Sequence, residues 1–383
     1  MVIARNEYPD SDSEPVADAN ETPLLAVDRF LDALVRFSGS DLHLKVGRPP
    51  LIRIRGSVQP LKHPPIDSVE MRELLEPLLD DRRLTLLKRD GGVDFAHVAE
   101  VAGVPTRFRV NLFKQQGSWG LVARRISTSI PDFSGLHLPP VMKSLCEFDQ
   151  GMILLAGVTG SGKSTTIASM LQWINQNFRK HILTLEDPVE FVFTDDKCVI
   201  NQREIGEDVR DFEVGIKQAV REDPDVMLVG EMRDEETFLA GMHAAETGHL
   251  VFGTIHAASA PAAITRILEL FTPDKHPSLR SGLALNMRAI VAQKLLPSCK
   301  PGVQRVPAVE IMTFNAVVRK IVREGEDEKL ADLIKTSVRE GMQDFTTSLK
   351  GLVDTQLIDR EVALEVAPNR EALMMSLRGI NVS

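Results

Sequence analysis

Apolar and polar residues alternate along this chain in three patterns, and each marks a different kind of element. Leu24, Leu25, Val27, Phe30, Leu31, Leu34, Val35 and Phe37 recur at helical spacing, which predicts an amphipathic helix ending near Gly39. A period of two follows. Leu42, Leu44 and Val46 alternate with Asp41, His43 and Lys45, and Ile52 and Ile54 sit between arginines in Leu51–Gly56. A helical stretch is predicted from about Ser68 to Lys88, and two further strands over Arg107–Phe113 and Gly120–Ile126. The third pattern is a buried-type apolar run alternating with helical segments: Met152–Ala156, Ile182–Glu186, Val226–Val229 and Leu250–Thr254. That is the rhythm of a parallel sheet covered on both faces. From about Pro307 onward the pattern is mostly helical, and there are no internal repeats.

These patterns divide the chain. Residues 1–23 are acidic, rich in small and turn-forming residues and without an apolar period, so they are expected to be a disordered tail. Residues 24–129 read as a mixed α+β domain, and 130–140, within the proline-rich stretch STSIPDFSGLHLPP, as a linker. Residues 141–306 read as an α/β core and 307–383 as a helical region.

Composition narrows the function without choosing it. The 383 residues are 43% hydrophobic and 26% charged, ordinary values that exclude a mainly disordered or fibrous chain. No apolar run approaches the ~18 residues that span a bilayer, and Met1 opens a charged stretch without a secretory signal, so a cytoplasmic protein is expected. Cys146, Cys198 and Cys299 lie too far apart for a four-thiolate zinc site or a disulfide framework, which suggests a reducing compartment. A net charge of −9, two Trp and one Tyr disfavour nucleic acid as a partner.

The strongest local signal is Gly157-Val-Thr-Gly-Ser-Gly162-Lys163-Ser164, a complete G-x-x-x-x-G-K-[ST] string between a hydrophobic strand and a helical pattern. Gly157, Gly160 and Gly162, with Thr159 and Ser161 between them, let the backbone wrap a phosphate with its N–H groups, and the helix that begins at Lys163, Ser164 and Thr165 adds positive potential. Lys163 would neutralise the β- and γ-phosphates, and the Ser164 hydroxyl would bind Mg²⁺. The chain contains no N-K-x-D string for reading guanine, which favours ATP.

Three other segments should reach the same sheet edge, because ligands of open α/β sheets bind at the carboxyl ends of strands. They are Glu186-Asp-Pro-Val-Glu190, Gly230-Glu231-Met-Arg-Asp234 and Ile255-His256. Glu231 suits a water-activating role, Glu186 or Glu190 could hold Mg²⁺ directly or through water, and His256 could sense the γ-phosphate. His249 precedes a strand; it could join this site or only satisfy a local backbone carbonyl. The core offers few obvious cations near its strand ends besides Lys163.

The order GVTGSGKST, ILTLEDPVEF, REDPDVMLVGEMRD, AAETGHLVFGTIHA resembles the secretion-type ATPases, which power type IV pili, type II secretion and related machines. These strings match that family's Walker A motif, Asp box, Walker B motif and His box. Within the family the chain is most similar to the PilT/PilU-type retraction ATPases. SDLHLKVGRPPLIRIRG and RFRVN fit as well, so the likeness runs from about Pro23 to Gly351. The chain lacks the four-cysteine zinc module usual in the assembly ATPases. It carries AVVRKIVRE (316–324) where the retraction branch has A-I-R-N-L-I-R-E, and LNMRAIVAQKLLP and REGMQDFTTSLKGL look closer to the PilU type.

The resemblance implies a PAS-like N-terminal domain on a RecA-like P-loop core, assembled as a homo-hexamer, with ATP between the two domains and Arg107, Arg109 and Arg124 completing the site. The period-2 pattern independently puts Arg107 and Arg109 on one strand face, opposite Phe108 and Val110. The resemblance further implies an inner-membrane platform protein of the pilus as partner, a paralogous pilus ATPase as a second partner, and a peripheral position on the inner face of the membrane. Two other function classes remain at this point. One is a nucleotide-dependent regulatory subunit that works only with an active partner. The other is a DNA-pumping motor, which the charge balance disfavours.

Overall fold

A computed structural model describes residues 25–54, 56–126 and 129–379. The expected acidic tail lies outside the described residues. Contacts divide the chain after Ile126 into two compact units. Among the described residues no helix is long and apolar enough to cross a membrane.

The first unit is a six-stranded antiparallel sheet. It holds β1 (Asp41–Lys45), β2 (Leu51–Ile54), β3 (Ser57–Pro60), β4 (Gly92–Val101), β5 (Val104–Gln115) and β6 (Ser118–Arg125), in the spatial order β3-β2-β1-β6-β5-β4. One face is packed: Leu42, Leu44, Phe108, Val110, Leu112, Leu121 and Ala123 are buried with residues of α1 (Asp28–Arg36), α2 (Ser68–Leu75) and α3 (Asp81–Asp90). The single helix expected over Ser68–Lys88 is two. Pro77 sits in a 3-10 turn that ends α2, and the Asp80 carboxylate starts α3 by accepting the Arg83 N–H at 2.7 Å. The β4 strand has no counterpart in the sequence reading. His97 takes an inward position there and blurs the alternation, and Asp28 satisfies it at 2.6 Å.

The second unit holds a seven-stranded sheet: β7 (Gly151–Ala156), β8 (His181–Glu186), β9 (Val199–Glu204), β10 (Val226–Val229), β11 (Leu250–Ile255), β12 (Met287–Pro297) and β13 (Arg305–Thr313), in the order β13-β12-β7-β11-β10-β8-β9. Only β13 runs antiparallel to its neighbour. Every residue of β7, β10 and β11 is buried, as strands covered on both faces must be. The helices are α4 (Val141–Leu145), α5 (Lys163–Asn177), α6 (Phe212–Ala219), α7 (Glu235–Glu246), α8 (Ala260–Leu268), α9 (His276–Asn286) and five more from α10 (Ala316–Glu324) through α11 (Leu330–Thr336), α12 (Phe345–Asp354) and α13 (Arg360–Val366) to α14 (Arg370–Leu377).

The boundary expected at 306/307 falls inside β13. This strand shares nine register pairs with β12 and belongs to the sheet, so the helical region begins at Ala316. The 316–324 stretch is the amphipathic helix its pattern suggests, with Val318, Ile321 and Val322 buried. Arg319 is committed to structure: its guanidinium donates to the carbonyls of Leu285 (2.9 Å), Met287 (3.1 Å) and Ala284, covering the end of α9 where helical carbonyls lack partners.

Candidate nucleotide site

Parallel pairing fixes where the chemistry can gather. Ala156 lies beside Ile255, Gly253 beside Val229, and Val229 beside Leu185. The loops leaving β7, β11, β10 and β8 therefore emerge side by side at one edge. They are the segments expected to carry the phosphate loop, His256, Glu231 and Glu186–Glu190.

The loop itself is built around close backbone approach. Gly157, Gly160 and Gly162 all have positive φ. A Cβ at Gly157 would lie 2.5 Å from Ser161 Oγ and 2.7 Å from the Gln293 carbonyl, so glycine is required there by space as well as by torsion. Gln293, on β12, supports the loop from beneath. Its Nε2 donates to the Ser161 carbonyl at 2.7 Å, and its Oε1 accepts from Thr166 Oγ1 at 2.9 Å. Lys163 is buried and donates to the Gly157 and Val158 carbonyls at 2.7 and 3.1 Å. Burial pushes its pKa down, and the charges of Glu231 and Glu190 oppose that shift. Ser161 Oγ is buried without a hydrogen-bond partner, inside a loop whose free N–H groups suit an anion. Thr159 is exposed, and Ser164 and Thr165 are half-buried at the start of α5.

Glu231 follows Gly230, which is fixed by the Thr254 hydroxyl (2.6 Å) and by its own N–H to the Leu185 carbonyl (2.8 Å). The Glu231 carboxylate accepts from Arg233 Nη2 at 2.6 Å and stands 3.2 Å from His256 Nε2. The Arg233 guanidinium is the first cause that holds this carboxyl below the usual glutamate range, and His256 and Lys163 act in the same direction. Arg233 is thus a cation at the strand ends in addition to Lys163, one that the sequence pattern does not single out. Glu186 differs in kind. It is buried, accepts from Thr184 Oγ1 (2.7 Å), Gln202 Nε2 (3.3 Å) and the Glu190 N–H (3.3 Å), and burial pushes its pKa up. Glu190 is exposed.

His249 is a correction to the expected set. It precedes Leu250 at the opposite end of β11, about 20 Å from the His256 edge at ~3.3 Å per strand residue. Its Nδ1 faces the Ala244 carbonyl at 2.8 Å, the local backbone role that was the alternative for it.

Arg107, Arg109 and Arg124 belong to the first unit. Arg109 and Arg124 are direct cross-strand partners, so with Arg107 they share the face of the sheet opposite the core. Arg124 Nε lies 2.7 Å from Asp41 and Arg109 Nε 3.8 Å from Asp94. These side chains, with Asn111 and Val122, line a hollow of about 330 Å³. Burial raises the Asp41 carboxyl, but the Ser40 hydroxyl and the Arg124 guanidinium outweigh it and hold the pKa low.

Known proteins match this arrangement over most of the chain. The PilT retraction ATPase of Pseudomonas aeruginosa is 41% identical over 328 residues, covering 86% of this chain and 94% of PilT. The chain belongs to the PilT/PilU-type secretion ATPases. PilU of the same organism is 35% identical over 351 residues, 92% of this chain and 91% of PilU. The family model described as type II/IV secretion system protein matches residues 139–324 of this ATPase. A crystal structure of the pilus retraction motor PilT with bound ADP superposes with a TM-score of 0.83 at 38% identity, covering 92% of this chain and 99% of that one. The chain therefore has the RecA-like fold of a secretion ATPase and is an ATP-hydrolysing, nucleotide-binding enzyme.

Proposed function

We propose that this ATPase is the motor of type IV pilus retraction. It would work as a homo-hexamer docked peripherally on the inner face of the cell membrane against the pilus platform protein. The observation that carries the reading is the placement of Glu231 at the end of β10, on the same strand edge as the phosphate loop and held by Arg233 and His256. Near end-to-end likeness to PilT supports the retraction role.

Lys163 would leave the Gly157 and Val158 carbonyls to meet the β- and γ-phosphates, and Ser161 Oγ would find in a phosphate oxygen the partner it lacks. Glu231 would take the proton of the attacking water, because it is less enclosed than the buried Glu186 and stands beside His256 at the edge of the phosphate loop. Glu186, already accepting three hydrogen bonds, would orient the Glu190 segment. The donors suit Mg²⁺, a hard cation that keeps several waters: Ser164 and, through water, the exposed Glu190 would hold it, and it would supply charge neutralisation between the phosphates. Arg107, Arg109 and Arg124 present cations on one sheet face, and we infer that they complete the site when ATP is bound.

The decisive variant is Glu231→Gln, which keeps shape but cannot accept a proton. It should retain ATP binding and hydrolyse at least ~100-fold more slowly; hydrolysis within a few-fold of wild type would overturn the assignment. In cells, loss of the gene should give hyperpiliated, non-moving bacteria, whereas bald cells would mean assembly. A PilU-type accessory role is the second reading, drawn from the alignment with PilU over 351 residues, and turnover seen only with a partner ATPase would establish it.

A further inference from the structure

One buried carboxylate of the core lies outside the nucleotide edge. Glu310 sits within β13 opposite Ala292 of β12, on the face that also buries Ala308 and Met312. Its Oε1 accepts the Ala260 N–H at 2.8 Å, and the Phe345 N–H faces the carboxylate and favours its charge. Ala260 and Phe345 are the first residues of α8 and α12. One carboxylate therefore bonds one helix N-terminus and faces a second, where free N–H groups and the helix dipoles favour negative charge. Lys294 lies on the same sheet face, with its ammonium 2.9 Å from the Val366 carbonyl and 4.6 Å from the centre of the Phe345 ring.

The Ala260 contact matters because of what precedes it. Ala260 is four residues after His256, and Ser259 between them caps α8 by accepting the Ala262 N–H. The link from Glu231 to the C-terminal helices is thus short: the 3.2 Å contact to His256, four residues of backbone, and the Glu310 carboxylate, which faces the start of α12. A buried carboxylate is costly to desolvate and is retained where its hydrogen bonds are specific.

We propose that Glu310 is a positioning residue for ATP hydrolysis: by bonding the first turn of α8 to β13, with the start of α12 beside it, it holds His256 beside Glu231 and ties the reacting edge to the C-terminal helices. The inference rests on the reading of Glu231 and His256 given above. It goes beyond that reading by assigning a role to a residue that touches neither nucleotide nor metal.

The test is a double-mutant cycle in the full-length protein, measuring kcat and KM for MgATP in wild type, Glu310→Ala, Glu310→Gln, His256→Ala and the two double variants. Glu310→Ala should lower kcat by roughly 10-fold with KM changed by less than about 2-fold, the size of effect expected when a hydrogen bond to a charged group acts only through the transition state. Glu310→Gln, with one acceptor oxygen for two donors, should fall between. In the His256→Ala background neither change should lower kcat further, since the group acted upon is gone. A purely structural Glu310 would instead give losses that add in both backgrounds, and that result overturns the proposal. So does a kcat within about 2-fold of wild type in both single variants. If Glu310→Ala fails to unfold cooperatively, the Gln variant alone completes the cycle. An unchanged kcat in His256→Ala removes the role of His256 and the coupling together, whereas additive losses on a slowed His256→Ala remove the coupling alone.

Discussion

Gln293→Met isolates what holds the phosphate loop in shape. Methionine has nearly the length and volume of glutamine, so the buried space beneath the loop stays filled while both side-chain hydrogen bonds vanish. Two groups lose a partner: the Ser161 carbonyl and the Thr166 hydroxyl. The hydroxyl has a local substitute, because Thr166 sits one turn after Gly162 and can bond back to its carbonyl, as helical threonines do. The Ser161 carbonyl has none, and a buried acceptor left without a partner costs about 1–3 kcal/mol. That cost falls on the loop conformation that binding requires. At 1.4 kcal/mol per factor of ten, it should raise the Kd for ADP by roughly 5- to 150-fold. Titration of a fluorescent ADP analogue at fixed Mg²⁺ and ionic strength measures this directly. Thermal unfolding should fall by about 2–4 °C per kcal/mol lost in a unit of this size. The rate at saturating ATP should change little, because the interaction supports ground state and transition state alike. ADP affinity within about 2-fold of wild type, with an unchanged Tm, would refute the reasoning. So would a large loss of kcat at unchanged affinity.

Other perturbations probe neighbouring parts of the site. Arg233→Ala removes the first cause that depresses the Glu231 carboxyl, so its pKa should rise toward the ordinary value of about 4.3 and the acid limb of kcat/KM should move to higher pH; an acid limb that stays in place or moves lower contradicts that sign. The Arg107→Ala/Arg109→Ala/Arg124→Ala triple variant should hydrolyse ATP well below the wild-type rate, while a fragment from about Pro131 to Ser383 folds and binds nucleotide weakly; wild-type turnover by either protein rules out a catalytic part for the first unit.

The phosphate loop was readable because its chemistry is local. Glycine at 157 is demanded by atoms of Ser161, four residues away, and by a carbonyl of the neighbouring strand, so the string carries its own conformation. The strand ends that deliver Glu231 and His256 were readable for a related reason, since fully buried parallel strands leave long apolar runs that stop at the edge. Gln293 was not readable. It acts on a loop 132 residues earlier in the chain, and in the sequence it only interrupts an apolar run. Arg233 was visible but silent, because an arginine two residues after a glutamate says nothing of pairing until the turn after β10 brings their side chains together. The period that put Arg107 and Arg109 on one face held through β5, yet it gave no sign that Asp41 and Asp94 would sit beside the arginines. His249 shows the opposite failure, where a residue belonging to a familiar string lies a full strand length from the chemistry.

The arrangement of β12 suggests why an ATPase core should carry a sixth and seventh strand at all. Successive residues of a strand point to opposite faces. Gln293 reaches the phosphate loop on the α5 side, and Lys294, the next residue, reaches α12 and α13 on the other. On β13 Val309 and Glu310 repeat the division: Val309 packs in the cluster that includes α5, and Glu310 bonds α8 and faces the start of α12. Any change in the phosphate loop that moves Gln293 therefore acts on a strand whose other face is bonded to the C-terminal helices, with no flexible loop between. Coupling between two faces of a packed sheet edge requires that the edge have two discrete arrangements. A motor needs that transmission and a simple nucleotide hydrolase does not. On this edge two strands, a buried glutamine and a buried carboxylate stand between the phosphate loop and the C-terminal helices.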